Sequence, residues 1–150
     1  MAYQKTFAML KPGALQRRIV GDVITRIERK GLRIVAMKLM VPAQELTQKH
    51  YAEHEGKPFF NDLVSYVTSS PVIAMVVAGD EAIPMLRILS GATKVDQAVP
   101  GTIRGDYAAA TTKNIIHASD SPESAEREIS LWFDQSEIVE YEDPNEQWFI

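Results

Sequence analysis

The chain has no cysteine among its 150 residues, which excludes disulfides, thiolate metal sites and thiol nucleophiles and favours a reducing compartment. Long hydrophobic runs are missing as well. The longest apolar stretch, Val72 to Gly79, is far too short to span a bilayer. The start, Met1-Ala2-Tyr3-Gln4-Lys5, carries neither the basic nor the apolar segment of a secretory signal. A cytoplasmic protein without a membrane partner is expected. An excess of positive charge is absent too: 16 Lys and Arg against 20 Asp and Glu leave a net charge of −4, which argues against an electrostatic grip on nucleic acid. Any phosphate binding must come from a few placed cations. Gly56-Lys57 has Tyr51 where a Walker loop needs its first glycine, and no G-x-G-x-x-G occurs.

No repeat, low-complexity tract or shift in composition divides the chain, so residues 1–150 read as one domain, in which folding buries about 68–70% of the unfolded surface. Thr6 to Leu10 reads as a strand closed by Lys11-Pro12-Gly13. Val20, Val23, Ile24 and Ile27 then recur at helical spacing, with Gly31 placed as a left-handed cap. Leu32 to Val41 is nearly all apolar, as suits a strand buried on both faces by helices or a neighbouring subunit, with Lys38 its one expensive member. Gln44 to Glu53 and Phe59 to Val67 form an inserted helical hairpin broken at Gly56-Lys57-Pro58.

Pro71 opens a strand from Val72 to Ala78, and Asp80 is placed to cap a helix reaching Leu89. Gly91 to Lys113 has no sustained period and reads as a long loop, a length usually kept for function. Asn114 to His117 is a short strand. Ser121-Pro122-Glu123 starts a helix: Ser as N-cap, Pro at the first helical position, an acid in the first turn. The order β-α-β, helical insert, β-α, loop, β-α predicts an α/β sandwich with a ferredoxin-like antiparallel sheet.

His50 and His54 stand four apart on a predicted helix, but the glutamate of a zinc H-E-x-x-H motif is displaced to Glu53, so a solvated helix face is the better reading. His117 has a richer setting. It ends the strand Ile115-Ile116 beside a helix N-terminus and several hydroxyl and carboxylate groups, where a neutral imidazole is a good nucleophile and a bound phosphoryl group would be favoured. Taken alone, a strand-end histidine is more often structural. The loop adds Thr93, Lys94, Thr102, Arg104 and Lys113, with Arg87 just before it. Phe59-Phe60 reads as core or as a stacking platform, core being the stronger reading. Glu128, two turns after Ser121, reads by itself as an exposed helix acid.

Thr6-Phe7-Ala8-Met9-Leu10-Lys11-Pro12, Val20-Gly21-Asp22, His50-Tyr51, Lys57-Pro58-Phe59-Phe60, Pro100-Gly101-Thr102-Ile103-Arg104-Gly105-Asp106, Asn114-Ile115-Ile116-His117 and Glu128-Ile129-Ser130-Leu131-Trp132-Phe133 together resemble the nucleoside diphosphate kinase family, in order and at compatible spacing. The resemblance implies ping-pong transfer of a γ-phosphoryl group from a nucleoside triphosphate to a diphosphate through a phosphohistidine at His117. Lys11 would reach both the sugar hydroxyl and the transferred phosphate, and Tyr51 would border the phosphohistidine. Arg87, Thr93 and Arg104 would hold the terminal phosphates. Asn114 would contact the ribose and Phe59 would stack on the base, which implies broad base and sugar tolerance. Ser119 and Glu128 would orient the histidine. Mg2+ would arrive with the nucleotide, with Asp120 touching it through water.

The chain departs from the family's usual pattern at Gly13 (usually Asp), Ala118 (usually Gly), Lys94-Val95 (often Asn-Pro) and Thr111 (usually Val). None removes a reacting group, although Ala118 would be strained if a positive φ were needed there. The resemblance also implies a homo-oligomer of dimers. The long tail after Phe133 favours a hexamer over a tetramer, and the apolar second strand and Trp148-Phe149-Ile150 are candidate interface material. Two rival functions are a non-catalytic nucleotide-binding regulator of the same fold and a nucleic-acid-binding ferredoxin-like domain. The intact set of charged and hydroxyl groups speaks against the first, and the acidic balance against the second.

Overall fold

The computed structural model describes residues 2–149. Strands β1 (Tyr3–Leu10), β2 (Arg33–Met40), β3 (Val72–Asp80) and β4 (Ile116–Ala118) are interleaved with helices α1 (Val20–Arg29), α2 (Gln44–His50), α3 (Phe60–Thr68), α4 (Ala82–Ser90), α5 (Ile103–Tyr107) and α6 (Pro122–Trp132). The strands pair antiparallel in the order β2-β3-β1-β4. This is the ferredoxin-like sheet read from the sequence, with α2 and α3 as the inserted hairpin.

Strand alternation divides the core into two layers. Ala8 and Leu10 of β1 face α1 and α4, meeting Val23, Ile27 and Leu86. Phe7 and Met9 face the opposite way, onto Tyr51, Val67, Trp132 and Phe133. In β4 the same alternation puts Ile116 and Ala118 into the first layer, so that His117 between them points into the second.

Local signals explain most boundaries. Gly31 takes φ +93° and closes α1 with bonds from Gly31 N to Glu28 O (2.9 Å) and from Leu32 N to Ile27 O (3.4 Å), the paired pattern of a Schellman cap. Ser121 caps α6 by accepting from Ser124 N at 3.1 Å, and Pro122 follows it. One expectation fails. Asp80 does not cap α4: it is the last residue of β3, opposite Tyr3, and left-handed Glu81 stands at the helix start instead. In β2, an edge strand with a bulge between Ile34 and Ala36, no helix of the described residues covers one face, which leaves a neighbouring subunit as the covering expected there. Met37, Leu39 and Val41 remain 54%, 60% and 59% exposed. Lys38 escapes burial by reaching Glu137 at 3.2 Å and lying over the Phe133 ring.

The segment from Gly91 to Lys113 is ordered. It contains α5 and short 3-10 turns at Val95–Gln97 and Thr111–Lys113, too brief to leave a hydrophobic period in the sequence. Thr102 caps α5 by accepting from Gly105 N (3.0 Å) and donating to Val99 O (2.7 Å). Asp106 accepts from Gly101 N and from Arg26, which also holds Asp22, so the loop is tied to α1. Glycine is required at 105, because a Cβ there would collide with the backbone carbonyl of Val99. Gly105→Ala should therefore destabilise the fold by about 1–3 kcal/mol, and thermal unfolding should show a fall of about 2–4 °C per kcal/mol.

Candidate active site

Three polar residues of the second layer converge under the end of β1. The buried Glu128 carboxylate accepts from Ser119 Oγ at 2.6 Å and lies 2.8 Å from His117 Nε2, both at Oε1. A carboxylate can only accept, so Nε2 carries the imidazole proton and Nδ1 holds the free lone pair. Burial raises the Glu128 carboxyl, while the Ser119 bond and nearby Arg127 act against that rise. Glu128 is thus no exposed helix acid. It faces inward because α6 packs that side onto β1 and β4.

His117 keeps 20% of its side chain open to solvent, enough for a reactant to approach. Burial first, then the charges of Lys11, Arg104 and Arg87, lower its pKa to about 3, so the ring is neutral at physiological pH.

Those cations reach the site from three elements. Lys11, at the end of β1, is buried and donates to Asn114 Oδ1 at 2.8 Å. Burial, helped by Arg104, brings its pKa down to about 8, leaving it charged at neutral pH. Arg87 on α4 donates to Ala118 O at 3.1 Å. Arg104 on α5 is 3% exposed and donates to the carbonyls of Gly91 (2.8 Å), Asn114 (3.3 Å) and Ile116 (2.6 Å). Burial and Arg87 hold it down to about 10. Among the described residues none of the three meets a carboxylate within ion-pair distance. Positive charge is therefore gathered without internal neutralisation, the arrangement of a site for a polyanion.

The backbone is strained beside the histidine. Ile115 has φ +75°, and Ile116 N donates to Asn114 O at 2.8 Å, which makes residues 114–116 the rare left-handed form of γ-turn. A β-branched residue in that region costs of order 1–3 kcal/mol. Arg104 grips the carbonyls on both sides of Ile115, and Lys11 N binds the carbonyl of Ile115 itself at 2.8 Å. The strain anticipated at Ala118 is absent: that residue pairs with Ala8 in the sheet at ordinary φ.

The remaining predicted residues form the rim. Tyr51 is buried, its ring centroid 6.4 Å from that of His117, and burial pushes its hydroxyl pKa up. Thr93 is exposed, and its carbonyl accepts from Asn114 Nδ2 at 3.3 Å. With Arg87 it also lines a groove of about 440 Å³ between α4 and the loop. Phe59 is 48% exposed, its ring beside that of His54 and under the Lys57 ammonium. That corrects the core reading in favour of a free aromatic face. Asp120 is exposed, and its carboxyl pKa is lowered by a hydrogen bond from Ser124 and by Arg87.

A sequence profile described as nucleoside diphosphate kinase matches residues 4–138. The chain belongs to the nucleoside diphosphate kinase family. It is 57% identical to a nucleoside diphosphate kinase of Archaeoglobus fulgidus, over 97% of this chain and 96% of that one. It is 53% identical to one from Staphylococcus epidermidis, over 97% of each. Among solved structures it is similar to a halophilic nucleoside diphosphate kinase from Halobacterium salinarum in complex with CDP, with a TM-score of 0.96 and 47% identity over 99% of both chains. A nucleoside diphosphate kinase from Encephalitozoon cuniculi superposes with a TM-score of 0.94 at 40% identity, covering 98% of this chain and 99% of that one. As a member of this family the chain is an enzyme, a nucleotide phosphotransferase, and neither rival function is favoured.

Sequence reasoning missed His50. It is not on a solvated face: it is 2% exposed, and its Nδ1 accepts from Trp132 Nε1 at 3.0 Å. The signal was available in the spacing, since Leu46, Thr47 and His50 share the inward face of α2, whereas His54 lies beyond the helix in a 3-10 turn. For the triad itself, Glu128→Gln should lower turnover about 10-fold by replacing a charged acceptor with a neutral one. Steady-state transfer from ATP to a diphosphate measures this, and an unchanged rate would mean that Glu128 does not act through His117.

Proposed function

We propose that this chain passes a γ-phosphoryl group between nucleotides in two steps through His117. The carrying observation is the orientation of one imidazole: neutral, partly open, with Nε2 committed to Glu128 and Nδ1 left with its lone pair. In the first step Nδ1 forms a bond to the γ-phosphorus as the bond to the bridging oxygen breaks and the nucleoside diphosphate departs. The proton stays on Nε2, where Glu128 stabilises the charge that the ring acquires. In the second step an oxygen of another diphosphate takes the phosphoryl group and the ring returns to neutrality.

Lys11, Arg87 and Arg104 balance charge on the phosphoryl oxygens as it spreads in the transition state. Thr93 helps to hold the terminal phosphates, and Tyr51 borders the phosphorylated ring. Asn114, braced by Lys11, faces the ribose. Phe59 offers a π-face to any base, which accounts for broad base and sugar tolerance. The donor set suits Mg2+ delivered by the nucleotide: the chain offers one exposed carboxylate here, Asp120, whereas Mg2+ keeps most of its waters and is bound through few carboxylates and substrate phosphates. Asp120 would hold the ion through water, and the chemistry the ion would supply is neutralisation of phosphate charge. Incubation with γ-labelled ATP should load one acid-labile phosphate per chain, and His117→Ala should load none. Label retained by that variant would overturn the assignment.

Residues 1–150 act in this reading as one domain in the cytoplasm. No helix among the described residues is long and apolar enough to cross a membrane. The uncovered apolar face at Met37, Leu39 and Val41 and the 79% exposed Trp148 support assembly into dimers and then a hexamer; Ile150 lies outside the described residues. Sedimentation should give the hexamer, with Leu39→Asp shifting it to smaller species, and a wild-type monomer would refute the assembly.

A further inference from the structure

His50 is the one fully enclosed titratable group beside His117 that the reaction as described leaves without a task. Its ring lies between Phe7, Tyr51 and Trp132 and stands edge-on to His117, with centroids 4.5 Å apart and planes at 78°. A ring nitrogen of His50, one of His117 and a carboxylate oxygen of Glu128 all lie within 4.8 Å of one another.

Its protonation state follows from its partner. An indole N–H can only donate, so the bond from Trp132 to Nδ1 means that Nδ1 presents a lone pair. Burial, reinforced by the charge His117 would carry, keeps the pKa of His50 well below the usual value. The ring is therefore neutral, and its one proton sits on Nε2. That N–H is buried and has no acceptor among the described residues. The hydroxyl of the next residue, Tyr51, is in the same condition. Two consecutive residues thus hold unused donors beside the ring of the nucleophile.

Burying a donor without an acceptor is unfavourable, and such groups are rare in folded proteins. A metal ion does not resolve it. To ligate through Nε2, His50 would have to move its proton to Nδ1, directly against the Trp132 N–H. An incoming acceptor does resolve it, and the reaction supplies one transiently: the phosphoryl oxygens present only while His117 is being phosphorylated or carries phosphate.

We propose that His50 is a further catalytic residue of this enzyme, its Nε2–H donating a hydrogen bond to an oxygen of the phosphoryl group on His117, with Trp132 as the positioning residue that fixes the tautomer. The proposal rests on His117 being the nucleophile. The proton stays on His50 throughout, so the bonds made and broken are only those between phosphorus, Nδ1 of His117 and the nucleotide oxygen. Because the donor gains its acceptor only when phosphate arrives, its contribution favours the transition state and the phosphoenzyme over the resting state.

The test uses the full-length 15N-labelled protein. Long-range 1H–15N spectra should show the resting His50 as the Nε2–H tautomer. After loading with ATP and removal of nucleotide, the Hε2 resonance should move downfield while 31P spectra show phosphohistidine. Phosphohistidine with an unmoved His50 resonance, or a resting Nδ1–H tautomer, overturns this inference alone. If no phosphohistidine forms in the wild type, the nucleophile assignment falls, and this inference with it. In rapid-quench experiments His50→Phe, which keeps a ring and loses the donor, should load phosphate about 10- to 100-fold more slowly. Trp132→Phe should show a smaller loss together with a mixed His50 tautomer population. Loading by His50→Phe at the wild-type rate overturns the proposal.

Discussion

A buried guanidinium that has no carboxylate partner organises this molecule. Arg104 is satisfied by carbonyls from both ends of the long loop, Gly91 on one side and Asn114 and Ile116 on the other. Carbonyl dipoles solvate the charge without cancelling it. The loop must therefore close on itself for Arg104 to be buried, and once it has closed, a net positive charge remains beside β4. The same bonds clamp the strained turn at Ile115, which sets the direction in which the chain leaves Asn114 and enters the strand holding His117.

From that constraint comes the electrostatic character of the site. Lys11, Arg87 and Arg104 arrive from a strand end and two helices, and burial first, with their mutual repulsion second, lowers the pKa values of Lys11 and Arg104. Burial first, and then these charges, hold His117 neutral. A protonated imidazole has no lone pair at Nδ1, so in the proposed reaction burial and the neighbouring cations together keep the nucleophile available. Glu128 supplies the opposite charge at Nε2, and in the proposed reaction it orients the ring without neutralising the side that phosphate would approach. Cationic and anionic groups thus act on different edges of one imidazole.

The sheet makes this possible by sorting side chains into two layers. Alternation along β4 directs Ile116 and Ala118 toward α1 and α4 and His117 toward α2 and α6. A slip of one residue in the pairing of β1 with β4 would send the histidine into the apolar layer. The cost of the arrangement is an edge strand, β2, whose Met37, Leu39 and Val41 no helix covers.

Periodicity and punctuation alone determined the order of strands and helices, the Gly31 and Ser121 caps and the helical insert, because each rests on contacts within a few residues. The motifs in register marked the family and, through it, His117, Lys11 and the arginines. Tertiary structure decided what depends on distant neighbours. Glu128 and His50 are polar residues on helices, and helical spacing does not distinguish a solvated face from one buried against Ser119 or Trp132. Phe59, for which composition favoured the core and the resemblance a stacking role, is exposed at the start of α3. Asp80 lost its cap role when pairing with β1 carried β3 two residues further. The five-residue α5 and the turn at Ile115 left no period to read, since both are held by Arg104, and a bond across ten or more residues has no local signature in sequence.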